Sequence, residues 1–138
     1  MKTTTLWQWL VLFFSVLLFG LVSPTTSHSL EVTVDVAPLI INVGGKSATF
    51  VVHTNLPYTL VDPATVVLNG EPIYQWKMDS LGYFDAIILR EAIEPSLEIG
   101  IKNLFVLEGK TRTEPPELFW GAEEVLVIDQ GISPGLLR

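Results

Sequence analysis

Two aspartates enclose a glycine in residues 78–86, MDSLGYFDA, and these are the first side chains to consider for chemistry. Calcium takes about six to eight oxygen ligands, mostly carboxylates from one short loop. Asp79 and Asp85 supply two carboxylates, but the residues between them are mainly apolar or aromatic. A turn needs no ion, because an aspartate accepts a backbone N–H two residues on and Gly82 tolerates positive φ. We predict a turn, and keep Asp79 and Asp85 as candidate calcium ligands.

Catalysis by a serine or threonine requires a base within hydrogen-bond reach, and His53 is the single histidine beyond residue 29. The chain has no Gly-x-Ser-x-Gly elbow, no His-Glu-x-x-His spacing and no cysteine to complete a zinc site. The acidic pairs Glu91 with Glu94 and Glu123 with Glu124 are of the type that cleaves glycosides, but solvated acids are far commoner. We predict no catalytic residue, no metal and no cofactor, so the protein is not expected to be an enzyme.

Aromatic side chains provide the other candidate site, because their faces stack on sugar rings. The candidate ligand platform consists of Tyr74, Trp76 and Trp120. Strand alternation directs Tyr74 and Trp76 to one face. A tryptophan in a β-sandwich more often packs in the core, so we expect Trp76 to be buried. Exposure of Trp76 beside Tyr74 would favour a ligand platform instead.

These residues lie in a chain whose apolar side chains alternate with polar ones, the period of half-buried strands. Gly109 and Gly121 are expected to interrupt the last strands, and Arg90 to begin one helical turn. We predict an all-β, antiparallel immunoglobulin-like sandwich of seven to eight strands, with turn signals about every ten residues. The predicted strand segments are 30–36, 39–43, 47–54, 73–78, 83–89, 101–108, 117–120 and 123–129. Residues 58–65 are expected to cross between the layers, and Asn69-Gly70 is expected to form a hairpin turn between the two apolar arms of residues 66–73.

The first 29 residues have the layout of a secretory signal peptide. Lys2 is their only charge, residues 6–22 are apolar-rich, and small polar residues follow Pro24. Cleavage is expected before Leu30, or after Ser27, and the alternative is an uncleaved membrane anchor. We predict a signal peptide at 1–29, one sandwich domain at 30–130 and a flexible tail at 131–138. Either alternative exports the domain to a periplasm, a cell surface or the medium.

Charge narrows the range of partners. The chain has 15 acidic and 8 basic residues; without Lys2 the exported part keeps 7 basic residues and a formal net charge of −8. A phosphate backbone is bound by clustered lysine and arginine, so nucleic acid is not an expected partner. Contact with a membrane is expected only through an uncleaved N-terminal segment.

Residues 61–95, VDPATVVLNGEPIYQWKMDSLGYFDAIILREAIEP, resemble a bacterial exported module that recurs in surface and secreted proteins. The resemblance spans about residues 32–129 and implies an immunoglobulin-like sandwich, often appended to other domains, with no activity known for the module itself. Most matching positions are turn residues and strand aliphatics: Asp62, Pro63, Val66, Leu68, Asn69, Gly70, Pro72, Asp79, Gly82, Asp85, Arg90, Ala92, Leu97 and Gly100.

Two functions remain open from the sequence. The first is a non-catalytic exported module that mediates protein–protein or cell-surface interaction, by edge-strand pairing or by docking an apolar face on a partner. The second is a carbohydrate-binding module that uses surface aromatics. The expected partner is therefore an unknown protein or a polysaccharide.

Overall fold

The computed structural model describes residues 28–131. The predicted signal peptide up to residue 27 and the predicted tail from residue 132 lie outside this part. The described strands, in chain order, are β1 (Ser29–Glu31), β2 (Val34–Ala37), β3 (Ile40–Asn42), β4 (Thr49–Pro57), β5 (Val61–Leu68), β6 (Glu71–Pro72), β7 (Gln75–Met78), β8 (Tyr83–Leu89), β9 (Lys102–Thr111) and β10 (Leu118–Ile128).

The strands form two sheets. Sheet A has the order β1-β10-β9-β5-β6, with β3 also paired to β10, and sheet B has the order β2-β4-β8-β7. Helix α1 (Arg90–Ile93) and two 3-10 turns (Tyr58–Leu60 and Glu94–Ser96) are the helical segments of residues 28–131, and none is long and apolar enough to cross a membrane. The expectation of an all-β, two-sheet fold is confirmed.

Inward-facing side chains of both sheets build one hydrophobic core. Alternation is clear in β4, where Phe50 and Val52 are buried between less buried neighbours. The ring centroids of Phe50 in sheet B and Phe105 in sheet A lie 5.8 Å apart, so the aromatic rings join the two sheets. The apolar face of each sheet is thus buried against the other, which is the stabilising arrangement of a sandwich.

The predicted breaks at Gly109 and Gly121 are wrong, because β9 and β10 run through them. A Cβ on Gly109 would lie 2.5 Å from the Phe119 ring, and one on Gly121 would lie 2.4 Å from the Val32 carbonyl oxygen. Both glycines therefore permit close packing against a strand. Glycine in the interior of a strand often marks such a close approach.

The N-terminal strand prediction also needs correction. Instead of one strand over 30–36, β1 lies in sheet A, β2 crosses to sheet B, and β3 returns to sheet A. Both β1 and β3 pair with β10 in parallel, so the sandwich is not purely antiparallel. Between these pairings the Glu123 carboxylate accepts the Val36 N–H, and a side chain thereby replaces a missing strand contact.

The central segments match their predictions more closely. Asn69 and Gly70 have positive φ and join β5 to β6 in a tight hairpin, as the Asn-Gly pair predicts. The layer crossing predicted for 58–65 is shorter, because β5 already begins at Val61 and continues through buried Pro63. Arg90 begins α1 as predicted, and its guanidinium donates to the Asn42 and Gly45 carbonyls.

Candidate interaction site at the β7 edge

Strand β7 is the outermost strand of sheet B, and within residues 28–131 it pairs on one side only, with β8. All four of its residues are exposed. The chain enters β7 from β6, the outermost strand of sheet A, so the two sheets end together at this side of the sandwich. We call the open side of β7, together with Tyr74, Trp76 and Met78, the β7 edge.

The side chains of Trp76 and Met78 belong to the core-facing side of sheet B. Trp76 pairs with buried Ala86 and Met78 with buried Phe84, and paired residues share a face. Nevertheless Tyr74, Trp76 and Met78 are 55%, 44% and 59% exposed. Sheet A does not cover them, because it ends at the two-residue β6.

The expectation that Trp76 packs in the core is therefore wrong. Alternation identified its face correctly but gave no information about how far the opposite sheet extends. The exposure of Trp76 and Tyr74 meets the condition under which a ligand platform is favoured over core packing. Met78 belongs to the same stripe and was not singled out from the sequence, although it follows Trp76 at the strand period of two.

The backbone at the β7 edge also has free hydrogen-bonding groups. The Asp79 N–H donates to the Tyr83 carbonyl at 2.9 Å, so this group points toward β8. In an antiparallel ladder successive residues point alternately to the two sides. The N–H and C=O groups of Trp76 and Met78 are therefore directed to the open side, where another strand can pair with them.

Trp120 does not join Tyr74 and Trp76, because it lies in β10 of sheet A. It is 38% exposed and follows buried Phe119, which places it on the outer face of that sheet. Its direct cross-strand neighbours are Glu31 and Glu108. A groove of about 420 Å³ lies beside it, and we call this the Trp120 groove; its lining is Ser29, Thr65, Glu108, Gly109, Lys110, Leu118, Phe119 and Trp120. The three predicted platform residues thus form two separate surfaces.

Asp79 closes the β7–β8 turn. Its Oδ1 accepts the N–H groups of Leu81 and Tyr83, each at 2.8 Å, and Gly82 has φ of +88°. This is the turn geometry predicted from the sequence. Because Oδ1 already accepts two backbone donors, Asp79 holds its own loop together and also fixes the end of the β7 edge.

Asp85 is directed elsewhere. It lies on the outer face of sheet B, 1% exposed, between His53 of β4 and Lys77 of β7. The His53 Nδ1–H donates to Asp85 Oδ1 at 2.8 Å, and Lys77 Nζ lies 3.9 Å from Oδ2. Asp35 is the next cross-strand neighbour of His53, so the four side chains form a row of mixed charge across the sheet. The sequence signal for this row is the single acid within the apolar run YFDAIIL.

Asp79 and Asp85 therefore serve a turn and a cross-strand row rather than one common loop. Within residues 28–131 no three His, Cys, Asp or Glu side chains are grouped so that they could hold a metal ion. Both carboxylates accept hydrogen bonds from groups of this same chain. Asp79 bonds the turn at one end of β7, and Asp85 lies beside Lys77 on the outer face of the strand.

Comparison of the chain with protein-family models, with curated proteins and with solved structures finds no significant match.

Proposed function

We propose that the protein is a non-catalytic, exported, immunoglobulin-like module that acts by protein–protein contact through the β7 edge. The observation that carries the proposal is the exposed β7 strand, which combines backbone groups that have no partner within residues 28–131 with the apolar side chains of Trp76 and Met78. Proteins normally protect such an edge, because it is a template for pairing with another chain. An edge left open is a means of binding by strand addition.

The immunoglobulin-like assignment is supported by strand order. In that fold strands A, B, E and D form one sheet and C, F and G the other. Here β2, β4, β8 and β7 occupy the positions of A, B, E and D, while β5, β9 and β10 occupy those of C, F and G. Export is supported by the signal-peptide layout of residues 1–29. The chain has no cysteine, so the exported domain would be stabilised without a disulfide.

A site-specific cross-linker tests the contact. A photoreactive amino acid in place of Gln75, which is exposed on β7, should form a protein adduct in cells that produce the full chain. The same group in place of Glu124, exposed on sheet A, is the matched control. Trp76→Lys should abolish the adduct and Trp120→Lys should leave it, because only Trp76 belongs to the β7 edge. Equal adducts from both positions, or none from Gln75, would contradict the proposal.

The second candidate function is carbohydrate binding, and the Trp120 groove favours it. Sugar sites combine an aromatic face with polar groups that bind hydroxyls. The groove provides the Trp120 ring beside Glu108 and Lys110. Retention of the protein on cellulose, chitin or peptidoglycan, lost in Trp120→Ala and kept in Trp76→Ala, would establish this function. Retention lost only in Trp76→Ala would instead place sugar binding at the β7 edge and contradict the assignment to the groove.

A further inference from the structure

We infer that the partner at the β7 edge is a second copy of this chain, whose β7 pairs antiparallel with the first, with Trp76 opposite Trp76. This inference rests on the proposed function, because it names the partner of the same site. The two copies of sheet B would then form one continuous sheet across a two-fold axis.

Comparison of the sheet edges singles out β7. In sheet A the outer strands β1, β3 and β6 have three, three and two residues, and β6 ends at Pro72. In sheet B the other outer strand, β2, has its Val36 N–H taken by Glu123 and is followed by Pro38. Short strands, prolines and covering side chains are devices that prevent pairing. Among the described outer strands, β7 has four residues and no proline, and Lys77 is the protective charge that it carries.

The side-chain order of β7 is self-complementary about Trp76. When two antiparallel copies place Trp76 opposite Trp76, Gln75 faces Lys77. Directly opposite residues share a face, so the two Trp76 rings meet on the core-facing side. Tyr74 precedes the strand, and its N–H donates to the Ile87 carbonyl, so the pairing of the two copies spans residues 75–77. On the outer face, the Gln75 amide oxygen can accept a hydrogen bond from the Lys77 ammonium group of the second copy.

The direction of the β7 backbone groups also agrees with a pair centred on Trp76. The N–H and C=O groups of Trp76 point to the open side, as the Asp79 to Tyr83 hydrogen bond establishes for the ladder. Two antiparallel strands exchange both bonds between directly opposite residues at such positions. A pair centred on Trp76 thus satisfies its N–H and C=O in both copies. In a pair centred on Lys77, the N–H and C=O of Lys77 could not bond the second copy, because they already face β8.

Charge permits the contact despite the acidity of the whole chain. Strand β7 contains Lys77 and no acidic residue. The nearest acid on the outer face, Asp85, is buried between Lys77 and His53. The nearest acid along the chain, Asp79, bonds its own turn. Two copies can therefore approach at this edge without placing carboxylates opposite each other, which would be destabilising.

Cysteine pairing tests both the partner and the register. The chain has no cysteine, so introduced thiols are the only ones present. Gln75→Cys and Lys77→Cys, made in separate full chains and produced in the same cells, should form a disulfide between copies after mild oxidation. In the inferred register these residues are directly opposite, with Cα atoms about 4.5 Å apart. Either variant alone places its two thiols diagonally, about 7–8 Å apart, beyond ordinary disulfide reach.

We expect the mixed chains to give about tenfold more cross-linked dimer than either variant alone, since disulfide geometry is restrictive. Trp76→Lys in both chains should abolish this dimer, whereas Trp120→Lys should not. Cross-linking of one variant with itself, or a yield unaffected by Trp76→Lys, would overturn the inference.

The photoreactive chain substituted at Gln75 separates the two proposals. An adduct of twice the chain mass agrees with pairing of two copies. A Trp76-dependent adduct with a different protein would overturn the inference and leave the proposed function standing. Absence of any adduct would overturn both.

Discussion

His53 and Asp85 are joined by a hydrogen bond of 2.8 Å between Nδ1 and Oδ1, and the carboxylate is only 1% exposed. Burying a carboxylate is costly unless hydrogen bonds or opposite charges compensate. His53 on one flanking strand and Lys77 on the other provide this compensation. The contact therefore lets β8 carry an acid at its centre, and Lys77 Nζ, 3.9 Å from Oδ2, links the same acid to β7.

Asp85→Ala should lower the free energy of unfolding by about 1–3 kcal/mol, because His53 loses a buried hydrogen-bond acceptor and the site loses packing. Asp85→Asn should cost less, since the amide oxygen still accepts the Nδ1–H. Urea unfolding monitored by tryptophan fluorescence measures both effects. Asp35→Ala, at the exposed end of the same row, is the control and should change stability by about 0.5 kcal/mol or less.

Asp79→Ala should destabilise the protein by about 1–2 kcal/mol, because Leu81 and Tyr83 lose their common acceptor. Asp79→Asn retains an acceptor oxygen and should lose about half as much. Thermal unfolding in calcium and in a chelator provides the second measurement. We expect the same melting temperature in both. A melting temperature that is higher in calcium than in chelator, with the difference lost in Asp79→Asn, would show that the turn is an ion site.

Glu123→Ala should cost about 1–2 kcal/mol of stability, because the Val36 N–H loses its acceptor at the gap between β1 and β3. Glu123→Gln should recover much of this loss. Hydrogen exchange of the Val36 amide provides a local measurement and should accelerate in Glu123→Ala. The adjacent Glu124 is 66% exposed on the opposite face, so Glu124→Ala should have no measurable effect on that amide.

Gly121→Ala should destabilise the sandwich by about 1–3 kcal/mol, because the new methyl group would lie 2.4 Å from both the Val32 carbonyl oxygen and a Val34 methyl carbon. The melting temperature reports this change. Gly131→Ala is the matched control, since a Cβ there meets nothing within 4 Å. An unchanged melting temperature in Gly121→Ala would mean that the N-terminal crossing does not pack against β10 as described.

The sequence predicted those parts of the fold that depend on local chemistry. The Asn69–Gly70 hairpin, the β8 strand and the helical turn at Arg90 follow from turn preference, alternation and spacing of apolar residues. The path of the N-terminal strands did not follow, because it depends on contacts between distant residues. The Val36 to Glu123 bond joins positions 87 residues apart, and neither residue type alone predicts it.

The candidate site was predictable in its residues but not in its accessibility. Tyr74 and Trp76 were predicted to lie on one face; Trp76 lies on the core-facing side, whereas Tyr74 precedes the strand. Their exposure depends on where sheet A ends, a property of strand order rather than of local sequence. The His53 to Asp85 contact was missed for a similar reason, since register between β4 and β8 brings the two side chains together.

The parallel pairing of β1 with β10 has a mechanical consequence. Ser29–Glu31 and Leu118–Trp120 run side by side in the same direction, close to opposite ends of the described chain. A force that draws those ends apart would slide the two strands along each other and load their hydrogen bonds together instead of unzipping them one by one. The pairing of β1 with β10 therefore opposes separation of the two ends along the strand direction.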